Sequence, residues 1–423
     1  MAFNDKQLII SNAIYTAEDK DPLIDGWIML EGGKIAQVSN EVLTQEILQS
    51  ADQVHDYRGY LITPGLVDAH THLVFGGSRE RELGMKLAGA SYMEIHKEGG
   101  IKSTVKATRE ADAHSLYIKA TKNLNSMLLH GTTTSEAKSG YGLDSDTELR
   151  VLEVMKKLDQ DHAIDLACTY MGAHDIPKDY DSKEAYIAYM IEKVMPKVKE
   201  EELAEFCDIF CEKGIFELED TKRIGEAAIK MGFKLKVHAD EIEAMGGAGL
   251  AASLGSVSAE HLMAIRDEDI PKMAESGTVA VLLPATTFFL MTGTYAPAKK
   301  MIEEGVRVAI ASDFNPGSSP CENLQMAMYM ACFQMKLSPL EILKGVTINA
   351  AHAIKRENEI GSISVGKKAD LCIFNAKDPD ELLYHFGINK VRDVFKNGRQ
   401  VVQNGEIDHL ACQALRADRE LAK

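Results

Sequence analysis

The chain has 423 residues, with 47 Lys plus Arg against 64 Asp plus Glu, a formal charge of −17. Hydrophobic residues make up 45% and charged residues 26%, a composition that buries a large core and excludes an intrinsically disordered chain. The acidic balance argues against nucleic acid and against an anionic membrane as partner.

The first sixty residues read as short strands at 7–15, 26–31 and 34–38, with Gly32-Gly33 as a hairpin turn. The middle alternates. Strand-like runs fall at 65–74, 131–137, 164–173, 208–211, 234–238, 255–259, 279–283 and 306–311. Helical stretches rich in Glu, Lys, Ala and Leu lie between them, as at 147–158, 182–202 and 220–231. An uncharged run at 276–298 contains Gly277, Pro284, Gly293 and Pro297, too many breakers for a membrane span. Strands return at 371–375, 391–396 and 399–403, with turns at Asn397-Gly398 and Asn404-Gly405. Eight strands with intervening helices predict a parallel α/β sheet. Pattern alone leaves both a closed barrel and an open doubly wound sheet. The β-rich ends predict a small domain assembled from both termini. Seven cysteines form no regular framework, and the N-terminal stretch has no signal-peptide pattern, so a reducing cytoplasm is expected.

The sharpest local feature is PGLVDAHTH, residues 64–72, an apolar run ending in His-x-His. On a strand His70 and His72 point the same way, roughly 6.6 Å apart along the chain, so both can reach one zinc or iron ion. Two ligands do not complete a metal shell, and His-x-His is common by chance. Later strand ends carry more ligand types: His238 with Glu241 behind it, Glu260-His261, and Asp313. In a (β/α) barrel the strand C-termini converge on one face, where these distant residues meet.

Three other signals are set aside. Gly247-Ala248-Gly249-Leu250-Ala251-Ala252 fits a dinucleotide pattern, but eight residues separate it from the strand that should precede it. It reads as close packing at a helix start. Cys207 and Cys211 lie about 13 Å apart on a strand, too far to share a metal. Met326, Met328, Met330 and Met335 read as core filling.

PGLVDAHTH, VHADE, AEHL and ASDFNPG at these strand ends resemble the metal-dependent amidohydrolase superfamily. HTHLVFGGSRERE (70–82), LAGASYMEI (87–95), KSGYGLDSDTELRVL (138–152), YMGAHDIP (170–177) and SDFNPGSSP (312–320) are similar to its imidazolonepropionase family. The resemblance runs in order over most of the chain. It implies a (β/α)₈ TIM-type barrel over 64–360, and a small β-sandwich domain from 1–63 and 361–423. It implies one zinc or iron ion per subunit, held by His70, His72, His238 and Asp313. Substrate contacts are implied from Arg79, Tyr141, His174, Glu241, Asn315, Gly317 and Ser318, with Glu241, His261 and Asp313 as proton-transfer candidates. The implied reaction opens the ring amide of 4-imidazolone-5-propanoate with a metal-activated water, giving N-formimidoyl-L-glutamate in histidine degradation. A homodimer is expected, as is a small-molecule substrate.

One departure concerns Glu98-Gly99-Gly100-Ile101, which has two glycines where three are usual. Lys213 stands near where two-metal relatives carry a bridging lysine; the readings are a surface lysine after the strand, which one metal favours, and a bridging ligand. The alternatives are a deaminase of a cytosine- or guanine-like ring and a non-catalytic scaffold. Arg79 and Tyr141 favour an anionic imidazolone over a neutral base, and the full ligand set argues against a scaffold. Because the substrate is an anion and the chain is acidic, the pocket must be locally positive. The metal and Arg79 are expected to supply that charge, with His174 as a further candidate.

Overall fold

The computed structural model describes residues 5–18, 23–89, 94 and 99–421. Most of the motif at 87–95, and Glu98 of the two-glycine loop, lie outside them. Two sheets organise the chain. The first is mixed and nine-stranded: β1 Gln7–Tyr15, β2 Leu23–Glu31, β3 Lys34–Ser39, β4 Gln53–Asp56 and β5 Leu61–Pro64 from the N-terminal part. The second is the central sheet: β6 Leu66–Asp68, β7 Thr132–Lys138, β8 Asp165–Ala173, β9 Phe206–Cys211, β10 Lys234–Ala239, β11 Ser258–His261, β12 Val279–Leu282 and β13 Val308–Ile310. The chain then returns to the first sheet as β14 Leu371–Phe374, β15 Val391–Lys396, β16 Arg399–Gln403 and β17 Glu406–Ile407.

β14 pairs antiparallel with β5, which joins the two ends of the chain in one sheet. Ile9, Ile28, Ile35, Ile62, Leu371 and Phe395 from six of its strands form one apolar cluster. The passage from one sheet to the other falls at Gly65, between β5 and β6.

In the central sheet the strands run parallel in sequence order from β6 to β13. The seam between first and last is closed just past the strands. Asp68 accepts from the Ser312 backbone at 3.0 Å and the Ser312 hydroxyl at 2.5 Å. Asp313 N–H donates to the His70 carbonyl at 3.0 Å, and His72 N–H to the Phe314 carbonyl at 2.8 Å. The result is a (β/α)₈ barrel, wrapped by helices that begin at side-chain caps such as Asp144, Ser182 and Ser338.

The predicted run 65–74 is regular strand only over 66–68, because beyond Asp68 the chain leaves the barrel wall to form the seam. The predicted strand at 255–259 sits three residues later, since Gly255 takes a positive φ of 66° in a turn. The uncharged run at 276–298 divides into β12 and a helix over Pro284–Leu290. Among the described residues no helix is long and apolar enough to cross a membrane. All seven cysteines are free.

Candidate active site

The seam that closes the barrel carries the His-x-His pair on one side and Asp313 on the other. Between the histidines, the Thr71 hydroxyl turns away and donates to the Glu136 carbonyl at 2.6 Å. Strand alternation thus survives past the end of β6. The rings of His70 and His72 share one face, their centroids 5.4 Å apart. His238 of β10 brings its ring to 4.6 Å from His70, and His261 of β11 stands 5.1 Å from His238. His70, His72, His238, His261 and Asp313 meet at one end of the barrel, all at least 96% buried.

Local backbone geometry makes this possible. Asp240, His261 and Asp313, each at or just past a strand end, take positive φ of 50°, 70° and 52°. Asp and His tolerate the left-handed region better than bulky or branched residues. The Asp240 carboxylate gathers the backbone N–H groups of Met245, Gly246, Gly247 and Ala248 at 2.8–3.1 Å, starting the helix Gly247–Ser253. This cap occupies the N–H groups of Gly247 and Ala248, the first two residues of the Gly-Ala-Gly motif, at the helix start. The same turn directs Glu241 inward, where it is 6% exposed with Oε2 3.6 Å from His261 Nε2.

The donor set fits a metal ion. His70 Nδ1 is bonded to the Glu260 carboxylate and His238 Nδ1 to Asp208 at 3.1 Å. A carboxylate at Nδ1 fixes the tautomer that leaves Nε2 with its lone pair. The Nε2 atoms of both rings are buried without a hydrogen-bond partner, as is Nδ1 of His72. Ligand atoms of His70, His72 and His238 lie within 4.8 Å of one another, as do those of His70, His261 and Asp313. Burial holds His70, His72 and His238 well below the usual imidazole range, so all three are neutral and able to ligate. Burial pushes the Asp313 carboxyl up to about 7, a cost that a bound cation offsets. Its Oδ2 accepts from Thr286 at 2.6 Å, and its Oδ1 stands 3.4 Å from His70 Nε2.

A cavity opens above these groups. Arg79, Tyr141, His174, Glu241, Asn315 and Ser318 all line it. Arg79 is clamped by Glu82 and is 7% exposed. Tyr141 sits in a tightly held loop. The Glu148 carboxylate accepts the N–H groups of Gly140, Gly142 and Leu143 at 2.7–3.1 Å. Side chains at Gly140 or Gly142 would approach Met171 or Glu148 to 2.7 Å, so both flanking positions need glycine. His174 donates from Nδ1 to the Gly140 carbonyl at 3.0 Å, which leaves Nε2 as its acceptor. Burial lowers its pKa to about 4. At neutral pH His174 therefore adds no positive charge, contrary to the expectation above. Gly317 is not a lining residue. The Asn315 side chain is engaged by its own loop, accepting from Gly317 N at 2.8 Å and Ser318 N at 2.7 Å. Lys213 is exposed and away from the cavity.

Residues 61–401 match the profile of the amidohydrolase family. The chain belongs to that family. Within the amidohydrolases it is 57% identical over 407 residues to an imidazolonepropionase of Treponema denticola, covering 95% of this chain and 98% of that one. An imidazolonepropionase of Streptococcus gordonii is 50% identical over 402 residues, 94% and 96% of the two chains. These relatives favour a hydrolase of that kind over a deaminase or a scaffold. Among solved structures, a zinc-bound adenosine deaminase from Xanthomonas campestris superposes with a TM-score of 0.72 at 18% identity, covering 98% of each chain. An atrazine chlorohydrolase from Arthrobacter aurescens complexed with zinc reaches 0.74 at 17% identity, covering 97% and 99%. These two share the fold.

Of the groups beneath the site of this amidohydrolase, sequence reasoning noted only Glu260, as a strand-end ligand type, and not the charged layer it belongs to. Glu136, Lys138, Asp208, Lys236 and Glu260 are fully buried inside the barrel. Phe210 and Ile101, which give the cavity its apolar wall, were also not singled out. The available signal was alternation: Lys236 lies two residues before His238 and Glu136 two before Lys138, so each pair shares a strand face.

Proposed function

We propose that this hydrolase opens the ring of 4-imidazolone-5-propanoate, adding water across the C–N bond next to the carbonyl to give N-formimidoyl-L-glutamate. The observation that carries this reading is one cavity with two chemically distinct ends. One end gathers neutral imidazoles and Asp313 with unpartnered Nε2 atoms. The other presents the guanidinium of Arg79.

His70, His72, His238 and Asp313 would hold one zinc or iron ion, which when bound polarises a carbonyl oxygen and makes water nucleophilic near neutral pH. The remaining carboxylate cluster around His70, formed by Glu136 and Glu260, already holds the ammonium groups of Lys138 and Lys236. That supports one ion over two.

Arg79 receives the propionate carboxylate, since a guanidinium matches a carboxylate with two parallel hydrogen bonds. Tyr141 donates its hydroxyl to the ring. Nε2 of His174 accepts a ring N–H. Glu241 is pushed well above the usual carboxylate range by burial and by Asp313. A carboxyl shifted in that direction is suited to deliver a proton to the departing ring nitrogen. His261 is held at about 4 by burial and is neutral at pH 7. It orients the attacking water by hydrogen bonding, and Asp313 takes up that water's proton. Phe210 and Ile101 wall off solvent beside the reacting amide.

The test is direct. Purified protein of known metal content is incubated with fresh imidazolonepropionate. Loss of the substrate's ultraviolet band with formation of formimidoylglutamate is the expected result; metal-replete protein without turnover overturns the reading.

A further inference from the structure

Beneath the metal-ligating histidines the barrel interior is not the branched apolar layer that usually fills it. Five ionisable side chains from four strands sit there, each with no solvent exposure: Glu136, Lys138, Asp208, Lys236 and Glu260. Burying this many charges is costly, and a well-packed apolar layer of the same volume is often as stable or more so. Their arrangement has a geometric logic. Lys138 Nζ lies 2.6 Å from Asp208 Oδ2 and 3.5 Å from Glu260 Oε2. Asp208 is the carboxylate on His238 Nδ1, and Glu260 is the carboxylate on His70 Nδ1. One ammonium group therefore touches both acids that orient two different histidines. Glu136 completes the Lys138 shell at 2.8 Å. Lys236 braces the far side, 3.2 Å from both Glu136 and Glu260 and 3.1 Å from the Ala353 carbonyl.

We propose that Lys138 is a positioning residue for the metal centre, one hub that fixes the Asp208–His238 and Glu260–His70 pairs in register so that both Nε2 atoms face the same point. This rests on the metal-site reading above. Without the ammonium group, Glu136 and Glu260 keep only Lys236, Asp208 loses its ion pair, and the buried carboxylates repel one another. Asp208 and Glu260 then shift, and the two rings lose their common focus. Outer-shell partners of this kind are worth about 10–100-fold in metal affinity when removed.

The experiment measures zinc(II) affinity by chelator competition on wild type, Lys138→Met and Glu136→Gln. It adds the visible spectrum of each cobalt(II)-loaded protein and the thermal unfolding of each metal-free one. Glu136 contacts both lysines and accepts from Thr169 at 2.6 Å. It has no hydrogen bond to a histidine among the described residues, so it reports the cost of disturbing buried charge alone. The expected result is a zinc affinity about 10–100-fold weaker in Lys138→Met with an altered cobalt spectrum, while Glu136→Gln binds like wild type. Equal zinc affinity and an unchanged cobalt spectrum in a folded Lys138→Met overturns the proposal, even if the metal-free protein melts earlier. If Lys138→Met does not fold, Lys138→Gln carries the same test, because it keeps a donor toward Asp208 and drops the charge. A wild type that binds neither zinc nor iron removes the metal-site reading and this proposal with it. Normal wild-type binding with unchanged variants removes the proposal alone.

Discussion

Glu82 holds Arg79 through two parallel hydrogen bonds, Nε to Oε1 at 2.9 Å and Nη2 to Oε2 at 2.8 Å. One edge of the guanidinium is thus committed to the protein, and the Nη1 side lies against Gly317. A substrate carboxylate meets a group already oriented, which lowers the entropy lost on binding. Glu82→Gln breaks the charged pairing yet keeps the volume. Its KM should rise about tenfold, equivalent to ~1.4 kcal/mol, with kcat little changed. Arg79→Lys should raise KM further, because an ammonium cannot reproduce the planar fork. Steady-state kinetics on both variants decides; an unchanged KM in either removes the anion-receptor role.

Gly317 is wedged between two cations. A β-carbon there would stand 2.0 Å from Arg79 Nη1, and the Gly317 carbonyl accepts from Lys86 Nζ. Gly317→Ala should therefore displace the guanidinium and raise KM without unfolding the protein, as equal melting temperatures and unequal KM values would show.

Lys86 gives this end of the site a pH dependence. The residue is 8% exposed, and burial followed by the Arg79 charge lowers its pKa to about 8. Below pH 8 Lys86 is charged and supports the loop that faces Arg79. As pH rises through 8 that charge is lost, so KM for the anionic substrate should climb between pH 7.5 and 9 in wild type, a window set about the pKa. The stability effect has the opposite sign. The unfolded chain binds more protons between 8 and 10.5, so the burial penalty is present below 8 and fades across that window. Lys86→Met should flatten the KM profile; an identical climb in that variant assigns the effect elsewhere.

The metal candidates were legible because each stands at the end of an apolar run, where barrel geometry concentrates chemistry. His70, His72, His238, His261 and Asp313 needed only that rule and alternation. The charged layer below them was not legible. No local pattern marks Lys138 and Lys236 as paired, and only closure of the barrel brings them against Asp208 and Glu260. Asn315 shows the reverse. Its position in the last barrel loop was clear, but its side chain is engaged by Gly317 and Ser318, a contact set by the fold of the loop and not by a sequence pattern. Strands β4 and β5 escaped notice for a further reason: four residues each is too short for a periodic signal.

Asp240 links fold to chemistry. Its four backbone hydrogen bonds cap the helix Gly247–Ser253 and set the turn that buries Glu241. Asp240→Ala leaves those N–H groups without their acceptor, at about 1–3 kcal/mol for a buried unsatisfied group. Both a lower melting temperature and a fall in kcat are expected, whereas Glu241→Gln should lower kcat alone. If Asp240→Ala loses stability but keeps full kcat, Glu241 does not depend on this turn.

Metal removal tests the centre as a whole. Three neutral imidazoles with unpartnered ring nitrogens are buried beside a carboxyl pushed up to about 7, an arrangement that stores unsatisfied polar groups until a cation arrives. Chelation should abolish turnover, and adding back zinc or iron should restore it. Stability should follow, because an ion that binds only the folded state adds about 4 kcal/mol at a thousandfold excess over its Kd. The melting temperature should then rise with free metal concentration, and His72→Ala should shift that curve to higher concentrations. A melting temperature indifferent to metal, in a chelated protein that still turns over substrate, would show that these nitrogens serve no ion.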